Sequence, residues 1–203
     1  MKKIGIILLL LVGFSASAQK KKTMNDIKFT TEGFFVASKA LGNNNLSKNF
    51  APFYGFGFAG QLHTPINWGL GIQYSLQFSD VKYGKANEYG DLGSAKINVI
   101  DLNIFHKNQL GNEFYLEKAV GYSVIRLNSI WNDGGGKYTE GKGGIHASVK
   151  GIYTIDREEK QHFIFGLKAM TYSAGVHNEN KEIEKFYNRS YLISLSLGYR
   201  YSF

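Results

Sequence analysis

Six charged residues are placed so that a folded chain with an interior could bring them together: Glu32, Asp101, Glu117, Lys150, Lys168 and Arg200. Three acids and three bases suffice for a buried ion-pair network or for a charge-lined path. A second chemistry is suggested by His146-Ala147-Ser148, an imidazole and a hydroxyl two residues apart. Such a pair becomes a nucleophile and its base only when a third group orients the histidine, and the sequence places no acid evidently beside it. A third candidate, Gly136-Lys137-Tyr138-Thr139-Glu140-Gly141-Lys142-Gly143, approaches a phosphate-binding loop. It lacks the closing Ser or Thr that holds magnesium and does not sit between a strand and a helix, so a flexible loop explains its glycines better. The five histidines His63, His106, His146, His162 and His177 share no metal-ligand spacing, and the chain has no cysteine. No catalytic, cofactor or metal site is therefore expected, and no disulfide framework or lipid anchor is available.

The first residues say where these groups must work. Lys2 and Lys3 precede an apolar run over 4–12 and then Ser15-Ala16-Ser17-Ala18, the pattern of a secretory signal peptide with cleavage after Ala18. The run is shorter than the roughly 18–20 residues of a spanning helix. The expected organisation is a signal peptide over 1–18, a periplasmic segment over 19–26 and one domain over 27–203. The formal charge of +8 falls by the two signal lysines on cleavage. An exported chain seldom meets nucleic acid, so this basic balance belongs to loops, rim and interior, and no nucleic-acid partner is expected.

Beyond the signal no apolar stretch is long enough for a transmembrane helix, so a membrane crossing must be made by strands. Aromatics make up 15% of the chain and there are 24 glycines against 2 prolines, which suits a β-protein with many turns. The clearest strand covers 68–79: Trp68, Leu70, Ile72, Tyr74, Leu76 and Phe78 alternate with Gly69, Gly71, Gln73, Ser75, Gln77 and Ser79. A period of two over about ten residues is what a tilted strand needs to cross a bilayer. Residues 190–203 repeat it, with Tyr191, Ile193, Leu195, Leu197, Tyr199, Tyr201 and Phe203 on one face. The same reading places strands at 27–38, 53–63, 96–106, 114–125, 145–155 and 163–173, making eight in all.

Long polar connections at 39–49, 82–95, 128–142 and 174–188 alternate with short ones at 64–67, 107–112 and 156–161. Outer-membrane barrels pair long outer loops with short periplasmic turns. The expected fold is thus all-β, a closed eight-stranded antiparallel transmembrane barrel with both termini periplasmic and the long loops extracellular. A soluble lipocalin-like barrel would need its rings of Tyr, Phe, Leu and Trp inside a space too narrow for them. The inward face is expected to be Gly, Ser, Gln and charge.

By parity the six charges point inward. Asp101, Glu117, Lys150 and Lys168 lie about six residues in from the short turns, roughly 15 Å at ~3.4 Å per residue and ~40° tilt. Asp101 and Glu117 are expected to oppose Lys150 and Lys168, and Glu32 to oppose Arg200 or Lys28. His146 and Ser148 also point inward, away from a lipid substrate. Lys118 falls on the lipid side near mid-height, where either a bulge re-aims it or another protein covers it.

With the strands placed, the chain resembles the small outer-membrane β-barrel proteins of the OmpX/OmpA-barrel type, and within them the PorT-like family of Bacteroidetes. The likeness rests on Gly69-Leu70-Gly71-Ile72-Gln73-Tyr74-Ser75, on Val99-Ile100-Asp101-Leu102-Asn103-Ile104-Phe105, and on Phe114-Tyr115-Leu116 leading to Gly121-Tyr122. The alternating Tyr199, Tyr201 and Phe203 resemble the terminal signal that barrel-assembly machinery recognises. The resemblance implies an outer-membrane location and assembly by that machinery, and it implies no activity. The expected partners are outer-membrane lipid and lipopolysaccharide, the assembly machinery, and an envelope or surface protein met by the outer loops, where Trp131, Tyr138, Phe186 and Tyr187 are candidate contacts. Three roles stand: a structural or interaction barrel, a narrow porin-like channel, and an enzyme acting on lipid A.

Overall fold

The computed structural model describes residues 27–82, 92–131 and 137–203. The expected signal peptide and the segment 19–26 lie outside them. In chain order the elements are β1 (Lys28–Leu41), α1 (Asn45–Asn49), β2 (Phe53–His63), β3 (Trp68–Asp80), β4 (Leu92–Gln109), β5 (Phe114–Trp131), β6 (Lys137–Glu140), β7 (Gly143–Thr154), β8 (Gln161–Tyr172), α2 (Lys181–Asn188) and β9 (Ser190–Ser202). None of the described helices is long and apolar enough to cross a membrane.

All the pairings are antiparallel, and β9 returns to β1 with Glu32 opposite Arg200, so the sheet closes on itself. β6 and β7 share one register against β5, from Ile130 opposite Lys137 down to Phe114 opposite Tyr153. They form a single interrupted line, and the barrel has eight staves. The short connections are made by local chemistry. Asn67 takes φ 65° to end the turn at 64–67, a conformation that asparagine tolerates. The Asp156 carboxylate accepts from the backbone N–H of Lys160 at 2.9 Å and of Gln161 at 2.8 Å.

Three expected strands were too short, the first of them β1, which continues past 38 to Leu41. β4 runs four residues further up and three further down than 96–106, and β5 continues past 125 to Trp131. At the upper ends of β4 and β5 the cause is an inversion of the alternation. Above Ser123 the inward positions of β5 become Ile125 and Leu127, both buried, while Arg126 is exposed on the outside. A rule that reads apolar as outward stops where the pattern reverses. The glycine-rich stretch that approached a phosphate loop is likewise corrected: Lys137–Glu140 is strand β6, paired to β5.

The lumen is correspondingly layered, and it is less polar than expected. Its upper part is an apolar cluster of Phe53, Ile97, Val99, Ile125, Leu127, Met170, Tyr172 and Leu192. Leu46 of α1 is folded into this cluster with 1% of its surface exposed, so the first long connection caps the mouth. Asn44 holds that helix in place, accepting from the Ser47 N–H at 2.9 Å and donating to the Leu41 carbonyl at 2.6 Å. Lower down, Phe34, Val36, Ala59, Ile152 and Ile164 pack around the charged residues. Glycines on facing strands make this possible, because a Cβ on Gly57 or Gly198 would run into Phe34 and one on Gly69 into Phe105.

Candidate functional site

The inward charges fall into two groups. In the lower group Arg200 is central. Its Nε donates to Glu32 Oε1 at 2.7 Å, its Nη2 also bonds Glu32, and Nη2 reaches Glu117 Oε2 at 2.8 Å. Lys150 Nζ adds contacts of 2.7 Å to Glu32 Oε2 and 3.5 Å to Glu117 Oε1. Gln61 donates its amide to Glu117 Oε1 at 2.9 Å. Arg200 is 1% exposed, so this is a desolvated cluster of two acids and two bases from five strands counting Gln61. Its geometry is what makes the burial tolerable: each carboxylate meets two cations, and the guanidinium spans both acids.

The upper group is separate. Lys168 Nζ lies 2.6 Å from Asp101 Oδ2, and Ser123 Oγ donates to Asp101 Oδ1 at 2.6 Å. Ser123 Oγ is also 2.8 Å from His146 Nδ1, which is 3.7 Å from Asp101 Oδ1. Asp101 therefore meets Lys168, and Glu117 meets Lys150. The expected equal height of all four does not hold, since Glu117 faces Lys150 in register whereas Asp101 faces Ser123, six positions higher on β5. Glu32 takes Arg200 and Lys150 as partners rather than Lys28.

The sequence reading found no acid beside His146, and the structure corrects this: Asp101 is there, with Ser123 rather than Ser148 as the hydroxyl. The three residue types of a hydrolase are present, but in the wrong order. Ser123 Oγ donates to Asp101 and meets Nδ1 of His146, so the hydroxyl stands between the acid and the histidine, whereas a triad places the histidine between the acid and the serine. Ser123 is also wholly buried. The missed signal was the parity of Ser123, which is inward and directly opposite Asp101 in the register.

Elsewhere the predicted residues are dispersed. Phe186 and Tyr187 lie on α2 and pack edge to face, with ring centroids 5.4 Å apart. Trp131 ends β5 and Tyr138 pairs with Ser129 through the backbone of β6, but their side chains fall outside the described residues. Tyr199 donates to Gln161 Oε1 at 3.0 Å, while Phe203 stacks on Phe29 at 5.8 Å and meets Tyr201 edge-on at 5.0 Å. Lys118 keeps unbroken register with His106 and Val149, so no bulge re-aims it. It stays on the outer face, in the row that holds the ring pair of Trp68 and His106.

The outer wall is apolar along most of its height, with Phe35, Phe58, Leu70, Leu102, Val120, Phe165 and Leu197 all exposed. An exposed apolar wall around buried charges is the reverse of a soluble protein. No protein-family model matches the chain, and no curated protein sequence does. Solved structures do match. Neisserial surface protein A superposes with a TM-score of 0.58 at 13% identity, over 86% of this chain and 97% of its own. The outer membrane protein OprG of Pseudomonas aeruginosa gives 0.55 at 11%, over 91% and 99%. Ail, the attachment invasion locus protein of Yersinia pestis, in complex with the heparin analogue sucrose octasulfate, gives 0.54 at 9%, over 88% and 100%. The chain has the fold of these outer-membrane barrels.

Proposed function

We propose that this chain is an outer-membrane barrel with a structural or surface-interaction role, its termini periplasmic, its long connections extracellular, and its lumen plugged by ion pairs. The observation that carries this reading is the filled interior: the bonded Glu32–Arg200–Glu117–Lys150 cluster below and the apolar cluster capped by Leu46 above. An eight-stranded barrel has room for little besides side chains, and here they use it. Interaction then falls to the connections. α1 is spent on closing the mouth, whereas none of the residues of α2 is buried and Ile183 is 43% exposed, so α2 with its Phe186–Tyr187 pair is the surface we assign to a protein partner. Ail, with its heparin analogue, is a precedent for ligand binding on this fold. The PorT-like assignment rests on the strand patterns at 69–75, 99–105 and 114–122. Contacts with lipopolysaccharide and with the assembly machinery follow from the same reading.

A narrow channel is the second reading, favoured by Lys150 and Lys168, whose side chains keep 13% and 12% exposure beside their acids. Conductance in planar bilayers decides between the two. The plugged barrel passes no steady current. A steady, ion-selective current that disappears in Lys168→Ala would overturn the plugged reading in favour of the channel.

A further inference from the structure

On the outer wall, where apolar side chains meet lipid, two cations stand together. Arg126 is the first outward position of β5 past Val124, and Lys96 is the second outward position of β4 past Ile100. The register sets Asn98 directly opposite Arg126 and Lys96 opposite Asn128. Lys96 and Arg126 are therefore diagonal neighbours on one face, about 7–8 Å apart. Both are exposed. Among the described residues neither has a carboxylate within ion-pair distance. They line a groove of about 750 Å³ with Phe78, Asp80, Ser94, Asn98, Ile100 and Val124.

Three side chains of this groove, Lys96, Asn98 and Arg126, offer donors. Tyr74 Oη donates to Asn98 Oδ1 at 3.0 Å, which orients that amide and leaves its NH₂ for another partner. Guanidinium, ammonium and amide donors thus converge on one strip. Asp80 contributes one carboxylate against the two cations. The height is informative as well. Arg126 and Lys96 lie about twelve to thirteen residues from the opposite ends of their strands, or roughly 31–34 Å along the barrel axis. That is just past an apolar band ~25 Å tall, where the headgroups of a leaflet begin. A lysine or arginine facing hydrocarbon is costly, and at this level it meets anionic headgroups instead.

We infer that Lys96, Arg126 and Asn98 form a binding site for a phosphate of an anionic glycolipid of the lipid A kind, its acyl chains lying on the apolar wall over Ile100 and Val124. This rests on the orientation proposed above, with the long connections outside, because only then does the groove face the leaflet that carries such a lipid.

The test uses the whole mature chain, refolded in detergent micelles and offered an equimolar mixture of diphosphoryl lipid A and phosphatidylglycerol, with retained lipid counted by native mass spectrometry. Lipid A is expected to be retained preferentially. The Lys96→Ala/Arg126→Ala variant should bind it about 30-fold more weakly, two surface cations at about tenfold per 1.4 kcal/mol. Lys39→Ala, an exposed outward residue on β1, should bind as the unaltered chain does. Unchanged retention in the double variant, an equal loss in Lys39→Ala, or equal retention of phosphatidylglycerol would each overturn the site. Heat-modifiable gel migration and flotation with phospholipid vesicles, done without lipid A, report barrel insertion separately. A chain that fails to insert overturns the membrane-barrel reading, whereas one that inserts and shows no dependence on Lys96 and Arg126 overturns this inference alone.

Discussion

Glu32 and Arg200 are register partners across the closure of the barrel, one on the first strand and one on the last, with Arg200 Nε 2.7 Å from Glu32 Oε1. The ion pair thus lies on the seam that makes the sheet a cylinder. Each charge is desolvated, so removing Arg200 leaves Glu32 and Glu117 sharing Lys150 as one cation for two buried acids, at a cost of ~3–5 kcal/mol. Arg200→Ala should destabilise by that amount in urea titrations followed by the gel shift of the folded barrel. Glu32→Gln/Arg200→Met should lose less than the two single changes added together, by at least ~1 kcal/mol. Strict additivity would show that the pair does not act as a unit.

The room for Phe34 inside the barrel depends on Gly57 and Gly198. Gly57→Ala must push the ring against its neighbours or displace the Tyr74 carbonyl, and should cost about 1–3 kcal/mol, as overpacking of a filled interior does. Gly111 lies in a turn where an added Cβ meets nothing within 4 Å, so Gly111→Ala should stay within about 0.5 kcal/mol of the unaltered chain. Equal effects at the two positions would mean that Phe34 is free to move.

The barrel was legible because on most strands below the apolar cap the outward positions are apolar, even where Phe34, Ile152 and Ile164 also turn inward. Wherever that held, as in β2 and β3, the boundaries were read to within a residue. The charge groups were legible for the same reason: parity alone turned Glu32, Glu117, Lys150 and Arg200 inward, and closure of the first strand on the last made Glu32 and Arg200 neighbours. What escaped were the features that depend on height and on folding back. The apolar cap needs Leu46 from a connection to meet Ile97, Ile125 and Leu192 from three strands, and no local pattern marks such a meeting. The split of the charges into two groups follows from the stagger between strands, which parity does not contain.

The Asp101–Ser123–His146 group has the composition of a hydrolase without its order of contacts. A fluorophosphonate probe, which labels activated serines, should leave Ser123 unmodified in the folded barrel at neutral pH. Ser123→Ala should instead act on stability, costing about 1–3 kcal/mol because Asp101 and His146 each lose a buried partner. Covalent labelling of Ser123 in the intact protein, mapped by peptide mass spectrometry, would restore the enzymatic reading.

Leu46 is the pin of the cap. It is the buried apolar side chain of a five-residue helix too short to be stable alone, so the helix persists because Leu46 sits among Phe53, Ile97 and Leu192 and because Asn44 caps its start. A carboxylate there cannot be paired within the apolar cluster, and Leu46→Asp should release the whole connection. Lys48, exposed on the same helix, supplies the reporter: trypsin should cut after it at least tenfold faster in the variant, while the strands stay resistant. Releasing the cap should still give no steady current in planar bilayers, because Arg200 and its partners remain below. If Leu46→Asp alone conducts, the cap is the gate and the ion pairs are not the plug.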